Sequence, residues 1–146
     1  YLEHIVLCLS DGLLAQCGID LDTHRGEIAS GNLSSLRGCP FVLGSAEDIG
    51  GRIGRGLLRS SGVSPVSKAT SENVETLLAL CEQGVGACFC PENLLHTALS
   101  PAQLAHLHIL PLCPEASYPI CFGYLSRSYP WSVLSEFIRI ARDQTA

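Results

Sequence analysis

Hydrophobic positions along the chain follow two rhythms, one suited to buried strands and one to helix faces. Residues 4–9 (HIVLCL) form a short apolar run, which predicts a buried strand ending in the turn Ser10-Asp11-Gly12. Residues 18–32 (GIDLDTHRGEIASGN) are polar and glycine-containing and read as a surface loop. Cys39–Leu43 (CPFVL) is a second strand. Beyond Gly44 and Ser45, residues 50–61 place Ile53, Leu57 and Leu58 at helical spacing. Glycines 50, 51, 54 and 56 in that segment cost about 1 kcal/mol each against Ala, so its helix depends on tertiary packing. Gly62 stands where a C-terminal cap is wanted.

Pro65–Ala69 predicts a short strand, and Thr70-Ser71-Glu72-Asn73 supplies capping chemistry and acid for a following helix. Val74, Leu77, Leu78 and Cys81 then mark one helix stripe, ended by Gln83-Gly84. Gly86–Cys90 is a strand closed by Pro91, and His106–Leu112 and Tyr118–Tyr124 are two more. Pro130 suits the first turn of a last helix with Val133, Leu134, Phe137, Ile138 and Ala141 on its inner face. Alternation of strands and helices indicates an α/β fold with a largely parallel sheet.

At 146 residues the chain is one domain by length, with a formal net charge of −5 and nine Lys and Arg scattered along it. That balance argues against these residues gripping a phosphate backbone. No apolar run reaches the length that spans a bilayer, and residues 5–9 are too short for a signal peptide. The chain opens at Tyr1 with residues that already read as strand, so it is read as part of a longer protein.

Eight cysteines are the unusual feature. None forms Cys-x-x-Cys, and no Cys/His quartet has zinc-finger spacing. Cys81 belongs to the helix stripe, and Cys88 and Cys90 share one strand face, where Val, Ile or Leu would serve equally well. The cysteines read as packing in a reducing, cytoplasmic compartment, with no metal and no cofactor. A catalytic constellation is missing as well: there is no Gly-x-Ser-x-Gly, P-loop or His-Glu-x-x-His, which points away from an enzyme. His106 and His108 alternate along one strand, and Arg52, Arg55 and Arg59 would form a basic helix face: a solvated surface, a subunit contact or a clamp on an anion.

The segments LSSLRGCPFVLG (33–44), ENVETLLALCEQGVGACFCPENLL (72–95) and YPICFGYLSRSYPWSVLSEFIRIA (118–141), in this order, resemble the effector-binding domain of LysR-type bacterial transcriptional regulators. SDGLLA (10–15) resembles the family's segment after its first crossing strand, and Gly84-Val85-Gly86 its Gly-x-Gly turn. The resemblance implies a Rossmann-like lobe, similar to type 2 periplasmic binding proteins, that closes with a second lobe on a small and often anionic effector. It implies that about 1–112 are the second lobe and about 113–146 a return strand and helix of the first. It also implies a homo-oligomeric parent, dimer or tetramer, that binds DNA only through an N-terminal domain outside this chain and does not engage membranes. The polar stretch 18–32 and the cysteine content depart from the common pattern.

In an open α/β lobe, ligands sit beyond the carboxyl ends of strands, where helices begin. That rule selects Gly44 and Ser45 after the second strand, Ile49 and Gly50 at the glycine-rich helix, Thr70 and Ser71 at the next helix, and Pro91. Each also has a plain structural reading, as turn or cap. The alternatives are a lobe of a solute-binding transport protein and, in another class, a cysteine-dependent enzyme or metal protein.

Overall fold

β1 (Leu2–Ser10) is the strand announced by the first apolar run, and its alternation explains why that run is continuous. Ile5, Leu7 and Leu9 enter one hydrophobic core, Val6 and Cys8 a second, so the strand is buried on both faces. The computed structural model describes residues 1–125 and 131–145. They divide into two compact units, residues 3–118 and residues 1–2 with 119–146.

In the larger unit, Ser10 does not open a turn. Its Oγ accepts the N–H of Leu13 at 3.3 Å and caps helix α1 (Asp11–Cys17). The stretch 18–32 is likewise not a loop: it holds α2 (Leu21–Ala29), capped by Asp20, whose Oδ1 accepts the N–H of Asp22 at 3.1 Å. Only Leu21 and Ile28 of that helix are buried, two apolar positions two turns apart, too few to stand out as a stripe in the sequence. A short 3-10 turn (Ser34–Leu36) leads into β2 (Pro40–Gly44).

Helix α3 (Ile49–Ser60) and strand β3 (Val66–Ser71) follow, then α4 (Val74–Glu82), whose cap is Asn73, with Oδ1 3.0 Å from the N–H of Thr76. Thr70 and Ser71 therefore end a strand and do not open a helix. β4 (Cys88–Pro91) is followed by α5 (Glu92–Ala98) and α6 (Pro101–Leu104), two short helices in a stretch for which the sequence pattern suggested no element, and then by β5 (Leu107–Pro111).

Strand pairing sets the frame. β2 pairs parallel with β3, and Phe41 bridges parallel to Ala87 just ahead of β4. β1 pairs antiparallel with β4 on one side and β5 on the other. Through that bridge the two-stranded sheet β2-β3 adjoins the sheet β4-β1-β5, giving the order β3-β2-β4-β1-β5 with only β1 reversed. Its strands are mostly co-directional, yet because the reversed strand is interior, the pairing is a mixture of parallel and antiparallel.

The two faces of this sheet carry the two cores. Phe41, Leu43 and Phe89 join the first, with the Phe41 and Phe89 rings stacked at a centroid distance of 5.9 Å. Val42, Cys88 and Cys90 join the second, under Leu77, Leu78 and Cys81 of α4.

In the smaller unit, β6 (Ser117–Pro119) contributes its last residue, and Ile120 donates its N–H to Tyr1 O at 2.8 Å. The strand expected over Tyr118–Tyr124 stops at Pro119, which has no N–H for a ladder. The last helix, α7, spans Ser132–Thr145; Pro130 lies outside the described residues. Of its expected inner face, Leu134, Ile138 and Ala141 are half-buried, but Val133 and Phe137 are exposed, because so small a unit has little interior to offer.

Candidate functional site

The carboxyl ends of β2, β3 and β4 lie along one edge of the sheet. Gly44 at the end of β2 is the register partner of Ser71 at the end of β3, and Leu43 is the partner of Thr70. Pro91 ends β4, which runs parallel to β2 on its other flank. Strand order reverses between β2 and β4, since the chain leaves β2 toward β3 on one side and returns through β4 on the other, and such a point leaves a crevice. The structure brings Gly44, Ser45, Thr70, Ser71 and Pro91 to this edge, with Ile49 and Gly50 in the first turn of α3 directly behind Ser45.

Hydrogen bonds set what these residues can offer. Ser45 Oγ accepts the N–H of Glu47 at 3.1 Å, and among the described residues its hydroxyl proton has no acceptor. Ser71 Oγ accepts the N–H of Asn73 at 3.1 Å, and Thr70 is exposed. Gly50, by contrast, is buried. A β-carbon there would come within 3.1 Å of Asp48 Oδ2 and 3.5 Å of Ile5 Cδ1, so its missing side chain makes room for protein atoms. Gly51 serves the same end, since a β-carbon on it would overlap the carbonyl oxygen of Ser45.

Two further residues matter here: Asp48, which the sequence reading passed over, and Arg55, which it placed on a basic helix face. Asp48 caps α3, its Oδ2 accepting the N–H of Gly51 at 2.8 Å, so the helix start already holds a carboxylate. Arg55 turns back along α3 and donates from Nη1 to Gly44 O at 2.7 Å, fixing the end of β2 and bringing one positive charge to the same corner. Asp48 was legible as an N-cap ahead of Ile49; the turn of Arg55 toward β2 was not. Glu3, buried in β1, takes the Asn93 side chain at 3.1 Å and the Asn93 N–H at 3.3 Å, and so caps α5 from a neighbouring strand.

The cysteine sulfurs gather more closely than strand and helix periodicity suggested. Cys8 Sγ lies 3.7 Å from Cys90 Sγ, and Cys81 Sγ donates to Cys8 O at 3.3 Å. Hydrogen bonding with Cys8, then with Cys81 and Cys90, together with burial, pushes the Cys88 thiol well above its ordinary range. Among the described residues, no group of three or more His, Cys, Asp or Glu side chains is placed to hold a metal ion. His106 and His108 are not alone either: His108 Nε2 lies 2.6 Å from Asp11 Oδ1, and His106 Nδ1 lies 3.9 Å from Asp11 Oδ2.

The fold is shared with solved regulatory domains. HinK, a LysR family transcriptional regulator from Pseudomonas aeruginosa, superposes with a TM-score of 0.66 at 16% identity, covering 99% of this chain and 46% of that one. The regulatory domain of Synechocystis PCC6803 CcmR, solved in complex with 2-PG, gives 0.65 at 12% identity, covering 99% of this chain and 64% of that one. The effector-binding domain of QuiR, in complex with shikimate, gives 0.51 at 11% identity over 76% of this chain and 46% of that one. At these identities the likeness is one of fold, and the chain spans about half the length of such structures. No curated protein matches the chain. The chain belongs to the LysR substrate-binding domain family, whose model, described as LysR substrate binding domain, matches residues 1–146.

Proposed function

We propose that this chain is the ligand-sensing part of a LysR-type bacterial transcriptional regulator, binding a small effector at the carboxyl edge of β2, β3 and β4. The carrying observation is the register of Gly44 with Ser71 and Leu43 with Thr70, which brings the ends of β2 and β3 side by side at a topological switch point. Domains of the same fold are bound to shikimate in QuiR and to 2-PG in CcmR, which supports a small polar guest. The role is binding, not catalysis.

On this reading residues 1–112 are the second lobe, and 113–146 return to the first. The exposed Phe122, Leu125, Trp131 and Val133, between 65% and 79% accessible, fit a segment whose apolar side is completed by more of that first lobe. The effector shifts the balance between lobe arrangements, and through them between arrangements of a homo-oligomer that meets DNA by a separate domain. Its compartment is the cytoplasm. Among the described residues no helix is long and apolar enough to cross a membrane.

The test is a thermal-shift screen of small carboxylates and phosphates against the full-length protein. A ligand at about a hundred times its Kd stabilises by ~2.7 kcal/mol. Ser45→Ala and Thr70→Val should each weaken a hit about fivefold, the worth of one hydrogen bond of ~1 kcal/mol, with operator binding retained. Unchanged affinity in both variants would remove the site from this edge.

A further inference from the structure

Among the sulfur contacts of the described residues, one pair stands apart from the buried cysteine cluster. Cys17, the last residue of α1, and Cys39, just ahead of β2, come from separate elements and place their Sγ atoms 3.5 Å apart. They differ from the Cys8, Cys88 and Cys90 group in access. Those three are buried, whereas Cys17 is only half-buried and both members of the pair line a surface cleft of about 210 Å³. Gln16, Ser35 and Arg37 line the same cleft, so it carries polar donors. The Ser35 hydroxyl is buried and has no hydrogen-bond partner among the described residues. A cleft with donors at its wall and a dithiol in its lining can admit a small oxidant.

We infer that Cys17 and Cys39 are a reversible oxidation site, closing to a disulfide when a peroxide enters this cleft. Cys17 reacts first, because it is the accessible member, while burial and then the hydrogen bond from Cys17 push the Cys39 thiol far up. The Cys17 thiolate attacks one peroxide oxygen, the O–O bond breaks, and the leaving hydroxide takes a proton to become water. Cys17 is then a sulfenic acid. The Cys39 sulfur attacks the Cys17 sulfur, the S–O bond breaks, and the hydroxyl leaves as a second water with the Cys39 proton. Two thiols lose one electron each, and one peroxide is reduced to two waters. The sulfurs close from 3.5 Å to about 2.05 Å in the bond. The product ties the end of α1 to the start of β2, the strand whose far end carries Gly44. This inference does not depend on the effector reading.

The test is peptide mass mapping of the full-length protein after a few equivalents of hydrogen peroxide, with free thiols alkylated under native conditions. The expected result is a Cys17–Cys39 linkage that dithiothreitol reverses, with Cys8, Cys81, Cys88 and Cys90 alkylated only after denaturation. In Cys39→Ser, dimedone should trap a sulfenic acid at Cys17. Should Cys17 and Cys39 both stay reduced while Cys113 or Cys121 oxidises, or should Cys17 link elsewhere, the inference is overturned. The mapping of the unsubstituted protein decides the matter even if the variant does not fold.

Discussion

Gly54 of α3 lies flat against the ring of Phe89 in β4, and a β-carbon on Gly54 would come within 2.6 Å of Phe89 Cγ. Two turns of α3 are thereby held close to the sheet, with Gly51 packed on the backbone of Gly44 and Ser45 in the same way. Gly51 and Gly54, which weaken this helix by propensity, are what allow it to sit so close to the sheet.

Gly54→Ala and Gly56→Ala should therefore move stability in opposite directions. Gly56 has nothing within 4 Å of its would-be β-carbon. Alanine there should raise stability by about 1 kcal/mol through helix propensity. At Gly54 the same gain is outweighed by overpacking against a stacked ring, a cost of about 1–3 kcal/mol. Urea midpoints of the two variants check this; equal shifts would show that the Phe89 ring moves aside freely.

Asp48→Asn should leave α3 capped and change ligand preference. Asparagine caps about as well as aspartate, so stability should fall by well under ~1 kcal/mol. The substitution removes a negative charge from the corner between Gly44 and Gly51. Repulsion between like charges at 4 Å is about 1 kcal/mol in water, so an anionic effector should bind about fivefold more tightly. Calorimetric titration with a carboxylate or phosphate hit reads this directly, and an unaltered Kd would place the anionic group elsewhere.

Asp20 should give α2 a sensitivity to acid. The hydroxyl of Thr23, donating at 2.6 Å, and then the N–H of Asp22 hold its carboxyl below the ordinary aspartate range. A folded-state value below the unfolded one means the stabilisation is present above the unfolded value and is lost as pH falls through the folded one. Carboxyl chemical shifts should show Asp20 titrating below an unstructured aspartate, with α2 amide signals moving in step. In Asp20→Asn that step should vanish; a normal titration for Asp20 would mean the cap does not form in solution.

Much of this was legible residue by residue. The period of Val74, Leu77, Leu78 and Cys81 marks α4, and Cys88 and Cys90 do share a sheet face with Cys81 above them. The carboxyl ends of β2, β3 and β4 followed from the strand-helix order, which is why the candidate residues fall on one edge. What escaped was whatever a neighbour far along the chain decides. α2 buries only Leu21 and Ile28, so its helix shows no stripe until the core beneath it exists. Glu3 caps α5 across ninety residues of chain, and Arg55 turns toward Gly44 only because β2 ends there.

By itself, then, the sequence determines which segments can form strands and helices and the class of fold they build, because hydrophobic period and capping chemistry act over a few residues. Only the tertiary structure decides that β1 runs reversed inside the sheet, that Arg55 reaches the carbonyl of Gly44, and that Cys17 meets Cys39. Those facts depend on strand order and on the close approach of distant backbones, which no local period encodes.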